Sequence, residues 1–204
     1  SHPSADSKVV STAIVRGGFE FQGQKCSAAS RIYLPNSKSD EIFEFLYDQI
    51  SSITMGSPRD FQHFMTAVIH EKAFDKIVNY IEIARESSEA KIIIGGNYDK
   101  SEGYFISPTV IVTTNPNFLT MKEEIFGPVL AIQTFRTIDE VIEKANNTPF
   151  GLSAGVWTEK GAKIFKLTQA LNAGVVWANT YNKFDPTSPF GGFKESGFGR
   201  EGGL

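Results

Sequence analysis

Strand-like and helix-like segments alternate along most of this sequence, and that alternation restricts the fold more than any other feature. Residues 6–20 carry Val9, Val10, Ala13 and Ile14 at helical spacing, with Asp6 placed to cap the first turn. Arg31–Leu34 follows as a short strand stopped by Pro35. Ser39 or Asp40 opens an amphipathic helix through Phe43, Leu46, Tyr47 and Ile50. Ala73–Arg85 is the clearest helix, with Phe74, Ile77, Val78, Ile81 and Ala84 on one face. Lys91–Ile94 is an apolar run ended by Gly95-Gly96, the pattern of a buried strand, and Thr109–Val112 and Val129–Phe135 are further strands. A helix at Thr137–Ala145, a strand at Ser153–Thr158, a helix at Lys160–Leu171 and a strand at Gly174–Ala178 close the series. Such a succession calls for right-handed crossovers. The expected fold is therefore α/β: an open, mostly parallel sheet with helices on both faces. From Thr180 onward, Pro186, Pro189 and a run of glycines describe a loop. Open α/β sheets bind ligands at loops beyond the strand ends, which directs the search for chemistry there.

The 204 residues, 41% hydrophobic and 21% charged, are enough to build a core of their own. The net charge of −3 argues against a general nucleic-acid or anionic-membrane binder, which would need a concentrated positive field. No apolar run approaches the ~18 residues of a membrane helix. The first residues lack the basic-then-apolar pattern of a secretory signal. A single cysteine excludes an internal disulfide and a multi-cysteine metal site, and suits a reducing, cytoplasmic setting. The phenylalanine count of 17 is high, and Phe184, Phe190 and Phe193 crowd the C-terminal loop.

Cys26 lies within Phe21-Gln22-Gly23-Gln24-Lys25-Cys26-Ser27-Ala28. A lone cysteine is more often a small buried hydrophobe than a reagent. Here polar and glycine neighbours surround it, Gly23 allows close backbone passage, and Lys25 is adjacent. A nearby cation favours the thiolate, which is the nucleophilic form. The segment is a candidate reactive thiol.

Three motifs carry a family resemblance. Gly23-Gln24-Lys25-Cys26-Ser27 with Ser30-Arg31 resembles the nucleophile segment of the aldehyde dehydrogenase superfamily. Glu123-Glu124-Ile125-Phe126-Gly127-Pro128-Val129 resembles its cofactor-contact motif, and Ser188-Pro189-Phe190-Gly191-Gly192-Phe193-Lys194-Glu195-Ser196-Gly197 its substrate-site loop. The resemblance spans essentially residues 1–204, as one catalytic domain. It implies that Cys26 attacks an aldehyde to form a thiohemiacetal, that hydride passes to NAD or NADP, and that water hydrolyses the thioester. It assigns Glu124 to the ribose beside the nicotinamide, Phe126 to packing against it, and Phe184 and Phe190 to the aldehyde tunnel. Glu201 falls where some members carry a proton-relaying glutamate; Arg200-Glu201 is otherwise a surface pair.

The first ~125 residues look most like the L-glutamate γ-semialdehyde (1-pyrroline-5-carboxylate) dehydrogenases of proline degradation. The cues are His2-Pro3-Ser4-Ala5-Asp6, Phe19–Ala28 and Asp60–Ile69. In that branch the serine after the nucleophile helps hold the substrate carboxylate, a role Ser27 inherits by position. The remainder departs from it. Asn179–Ser188 replaces the branch's small-residue loop and, with Lys194–Glu201, resembles general or betaine-type aldehyde dehydrogenases.

The resemblance also implies a partner. The family's dinucleotide-binding half, with its general base and oxyanion asparagine, is absent from these residues, as is the strand used in oligomer assembly. The chain alone is expected to bind no cofactor and to oxidise no aldehyde, whereas the full enzyme is expected to be a homo-oligomer. A weak cysteine esterase and a non-catalytic folding unit stand as alternatives.

Other motifs are weak. Gly197-x-Gly199-x-x-Gly202 matches a dinucleotide fingerprint but has no following helix to present to a pyrophosphate. His2, His63 and His70 are scattered, so no metal is expected.

Overall fold

The computed structural model describes residues 1–203. Helix α1 (Ser7–Phe19) begins where the Asp6 carboxylate accepts from the Val9 N–H at 2.9 Å, and it turns Val10, Ile14 and Phe19 inward. Strand β1 (Arg31–Pro35) leads into α2 (Ser39–Ser51), which lies against α1 and buries Ile42, Leu46 and Ile50. Tyr47, expected on that face, is exposed instead, because one residue past Leu46 rotates it towards solvent. Helix α3 (Glu71–Glu86) starts at His70, whose Nδ1 accepts from the Ala73 N–H at 3.0 Å, and buries Phe74, Ile77, Tyr80, Ile81 and Ala84.

Strand β2 (Ala90–Ile94) is followed by a small hairpin, β3 (Tyr98–Asp99) and β4 (Phe105–Ile106), then by β5 (Thr109–Thr113). The short α4 (Leu119–Lys122) precedes β6 (Val129–Phe135). Thr137 caps α5 (Ile138–Asn146) by accepting from the Glu140 N–H at 3.2 Å. The chain continues through β7 (Phe150–Gly151), β8 (Ser153–Val156), α6 (Gly161–Ala170), β9 (Val175–Ala178) and β10 (Phe193–Lys194).

The main sheet has the order β1-β6-β5-β2, with β1, β6 and β5 parallel and β2 antiparallel at the edge. Central strand β6 serves both faces. Leu130 and Ile132 point into a cluster with α1 and α2, whereas Val129 and Ala131 join a cluster built on α3. Each fully buried aliphatic side chain contributes roughly 1.5–3 kcal/mol. The expected mostly parallel sheet, covered on both faces, is what forms. Residues 91–94 are an exception to expectation. They form a half-buried edge strand with a bulge between Ile92 and Ile94, and Lys91 is exposed. Their apolar run reflects two-sided packing, because Ile93 and Ile94 meet one cluster and Ile92 the other.

Beyond β6 the character changes. The parallel pair β8/β9 and the antiparallel pair β7/β10 stand as separate small sheets. Helix α5 buries no residue fully, and α6 buries only Leu167. The C-terminal loop is closed by a two-way backbone bridge between Phe190 and Glu201, with N–O distances of 2.8 and 2.7 Å.

Candidate active site

The Cys26 loop begins where α1 breaks. Phe21, Gln22 and Gly23 adopt left-handed backbone angles in succession, with φ of 55°, 60° and 66°. A non-glycine residue there costs roughly 1–2 kcal/mol, so two in a row need support. Two glutamines supply it. Gln22 Oε1 accepts from the Thr66 N–H at 3.1 Å, and Gln24 Oε1 accepts from the Ile69 N–H at 2.9 Å, tying the turn to residues 66–69. The third position admits only glycine. A Cβ on Gly23 would fall 2.3 Å from the Gly127 carbonyl oxygen, so the loop seats directly against the second motif. Cys26, the free thiol, is exposed on this rigid turn.

The Lys25 ammonium is not directed at that thiol. It pairs with Glu20 at 3.2 Å, where Arg16 also binds at 2.8 Å, and it lies 5.3 Å from the centroid of the Phe21 ring. Burial alone would raise the Glu20 carboxyl, but hydrogen bonds and charge from Arg16 and Lys25 together hold it below its usual range. Adjacency in sequence thus misassigned Lys25, whose partner lies five residues upstream.

The second motif is held by α3. Lys76 Nζ donates to the Glu124 carbonyl at 2.7 Å, and the Tyr80 hydroxyl donates to Glu123 Oε2 at 2.5 Å. Burial and the adjacent carboxylate push the Tyr80 hydroxyl up to about 12, so it remains a donor. Phe126 takes a left-handed φ of 57° and stays 42% exposed. Glu124, Phe126 and Cys26 all line one cavity of about 470 Å³. Ser27, although next to the thiol, is 4% exposed and does not line that cavity.

Phe184 and Phe190 form a second group, also off the lining. Their rings meet edge-to-face at 5.1 Å, and Phe184 packs against Trp177 at 5.4 Å. Trp177 contacts Tyr181 at 5.0 Å, and Tyr181 contacts Trp157 at 6.1 Å. Tyr181 and Trp157 do line the cavity, so an unbroken aromatic row links its wall to the C-terminal loop. Glu201 is exposed and joins this group through its backbone bridge to Phe190. Sequence reasoning missed Tyr181 and Trp157. Their signal was the placement of an aromatic residue just beyond each strand of the β8/β9 pair. Among the described residues no group of histidine, cysteine and carboxylate side chains has metal-site geometry, and no helix is long and apolar enough to cross a membrane.

The model of the "Aldehyde dehydrogenase family" matches residues 2–204. Human "Aldehyde dehydrogenase, mitochondrial" is 42% identical over 183 residues, which cover 90% of this chain and 35% of that protein. The NAD+ complex of aldehyde dehydrogenase from Bacillus cereus superposes with a TM-score of 0.95 at 34% identity, covering 99% of this chain and 41% of that one. Betaine aldehyde dehydrogenase from Staphylococcus aureus, in complex with NAD+, gives 0.94 at 33% identity, covering 98% and 40%. The chain therefore spans well under half the length of the relatives it matches.

Proposed function

This chain belongs to the aldehyde dehydrogenase family, and we propose that it carries the catalytic side chains for NAD(P)-dependent oxidation of an aldehyde to a carboxylic acid. The observation that supports this most directly is convergence. Cys26 lines one cavity of about 470 Å³ together with Glu124 and Phe126, which belong to a motif far from it in sequence. In this reading the Cys26 sulfur adds to the aldehyde carbon, and the carbonyl electron pair moves to oxygen. The Cys26 backbone N–H is one donor to that oxyanion. Loss of hydride from the same carbon leaves a thioester on Cys26, which water cleaves to the acid and the free thiol. Glu201 is the candidate relay for the proton released by that water, although it is exposed and does not line the cavity, so the relay requires the C-terminal loop to bring it closer.

The residues fit a nicotinamide dinucleotide, since a carboxylate and a half-exposed aromatic ring on one wall match a ribose diol and a flat pyridine ring. Glu124 would hold the ribose hydroxyls and Phe126 would pack beside the ring. When bound, the dinucleotide supplies the hydride acceptor. In the working enzyme these residues act as one catalytic domain against a dinucleotide-binding domain, in a homo-oligomer of a reducing, cytoplasmic compartment.

L-glutamate γ-semialdehyde is the substrate that the Cys26 segment supports, although Ser27 is buried off the cavity lining and Phe184 and Phe190 reach the cavity wall only through Trp177 and Tyr181. A general or betaine-type aldehyde is the second reading, favoured by the Asn179–Ser188 loop and by the likeness to the Staphylococcus aureus enzyme. The test is NADH formation when the chain is combined with a separately made dinucleotide-binding half of the family. Turnover of glutamate γ-semialdehyde that disappears in Cys26→Ala supports the first reading, and turnover of betaine aldehyde alone supports the second. Turnover that survives Cys26→Ala refutes both.

A further inference from the structure

The chemistry proposed for Cys26 and Glu124 uses one end of the main sheet, since these residues precede β1 and β6 respectively. The opposite end, beyond the carboxyl ends of β1, β6 and β5, holds a separate cavity of about 150 Å³. Gln133 of β6 lines it, is 1% exposed, and among the described residues has a hydrogen-bond partner for neither Oε1 nor Nε2. Its neighbours are already committed. Tyr33 of β1 lies beside it on one strand, and Thr113 of β5 on the other, one step past the Val112–Ile132 pair. The Tyr33 hydroxyl donates to the Lys144 carbonyl at 3.0 Å and accepts from Arg31 at 2.9 Å. The Thr113 hydroxyl donates to the Glu89 carbonyl at 2.7 Å and accepts from the Asn115 N–H at 3.1 Å. A buried amide without partners is costly, so one that persists calls for an explanation. The fold supplies a second pointer. Strand β1 leads into α2, which packs in the cluster of α1, whereas β6 leads into α5, whose Lys144 carbonyl meets Tyr33 beside the cluster of α3. Helices that leave adjacent parallel strands towards opposite faces open a crevice at the carboxyl ends, the usual ligand position of an open α/β sheet.

We propose that this crevice binds a small hydroxycarboxylate, whose carboxylate and hydroxyl pair together with the Gln133 amide. Nε2 needs an acceptor and Oε1 needs a donor, so a bare carboxylate or a bare ammonium satisfies half of it. A ligand carrying an acceptor and a donor on neighbouring atoms satisfies both. Charge selects the anion. Glu140 is the one carboxylate on the lining, and both its oxygens are taken. Oε1 accepts from Lys144 at 2.7 Å, and Oε2 accepts from the Arg136 N–H at 2.9 Å. The Arg136 guanidinium stands 3.8 Å from that carboxylate and is 80% exposed, which leaves its donors for a second anion. Lys144 Nζ, bound to Glu140 and to the Thr134 carbonyl at 2.9 Å, keeps a third N–H. Two cations against one carboxylate give the lining a surplus positive charge. Asn36 and Thr114, exposed at the rim, add further donors and acceptors. One water needs roughly 10–15 Å³ of such space, so the cavity admits a molecule of several non-hydrogen atoms.

The site is independent of Cys26 and is tested on the 204-residue chain without turnover. Glycolate is titrated into isotopically labelled protein and followed by NMR, with acetate (no hydroxyl) and ethylene glycol (no carboxylate) as controls. The expected result is a saturable shift of the Gln133 side-chain amide and of the Thr114 and Thr134 backbone amides by glycolate. Either control should bind roughly tenfold more weakly or worse. Gln133→Leu keeps much of the volume and removes the unpartnered amide, so it should fold and lose the glycolate response. Arg136→Ala, at an exposed side chain, should fold and bind glycolate roughly tenfold less tightly. No saturable shift from glycolate would mean that the crevice holds water alone, and overturns the proposal. Equal or tighter binding of either control, or a glycolate response that survives in Gln133→Leu, overturns it as well. Should Gln133→Leu fail to fold, Arg136→Ala decides, because undiminished glycolate binding there refutes the site.

Discussion

Residues 1–135 and residues 137–203 are built on different principles. In the first region, two apolar clusters close on opposite faces of one sheet, and β6 is buried along almost its whole length. In the second, two amphipathic helices, two small sheets and a long loop surround open space, and Val156, Leu167 and Trp177 are almost the only apolar side chains taken out of solvent. The proposed reactive groups sit along the seam. Cys26 and Glu124 come from the closed region, and Tyr181, Phe184, Phe190 and Glu201 from the open one. A site placed this way draws rigidity from one side and shape from the other.

The largest test of this contrast is a pair of truncations. Leu130→Ala, in the fully buried centre of β6, should cost about 4 kcal/mol in urea unfolding. Leu167→Ala on α6 should cost under about 2 kcal/mol, because the cavity beside it already leaves part of that side chain unpacked. Equal losses would erase the distinction between the regions.

The seam comes next. Gly23→Ala forces a side chain into the Gly127 carbonyl at a left-handed position and should cost about 3 kcal/mol. It should also loosen the Cys26 turn, measurable as faster amide exchange at Thr66 and Ile69, whose N–H groups the two glutamines hold. Full native exchange at both amides would mean the turn is not what fixes the thiol. A smaller effect, about 1 kcal/mol, is expected for Phe184→Ala, which breaks the aromatic row between Trp177 and Phe190. Near-UV circular dichroism should report it through the tryptophans.

The smallest effect concerns acid. Hydrogen bonds from Lys144 and the Arg136 N–H hold Glu140 down to about 2, against 4.5 for the free group. The folded form therefore gains stability above the unfolded value, and loses it as pH falls from about 4.5 towards 2. Because the pair is solvent-accessible, the loss should stay below ~1 kcal/mol. Thermal unfolding of Glu140→Gln should show a flatter acid limb with an unchanged profile above pH 6. An identical acid limb in both proteins would remove this ion pair from the account.

The closed region was the more legible of the two in the sequence. Asp6 caps the helix it was expected to cap, the helix expected from Thr137 forms just after it, and the apolar spacing of residues 73–85 matches the buried face of α3. These are local patterns, in which the partner of each residue lies three or four positions away. What escaped notice depended on distant partners. Lys91–Ile94 looked like an interior strand because its isoleucines serve two clusters, although it lies at an edge. Lys25 looked like the partner of Cys26 because they are neighbours, although its ammonium belongs to Glu20. Gly23 was noted for its freedom, but its requirement comes from Gly127, on a different element.

The central claim is that the turn at residues 21–27 presents Cys26 as a nucleophile that forms a covalent acyl intermediate. Mixing the folded chain with p-nitrophenyl acetate and mapping the acetylated peptides by mass spectrometry tests it directly. The account predicts an acetyl thioester on Cys26, formed faster than on the same chain unfolded in urea, with no p-nitrophenolate burst from Cys26→Ala. Labelling of Cys26 no faster than in the unfolded chain, or an undiminished burst from Cys26→Ala, would contradict it.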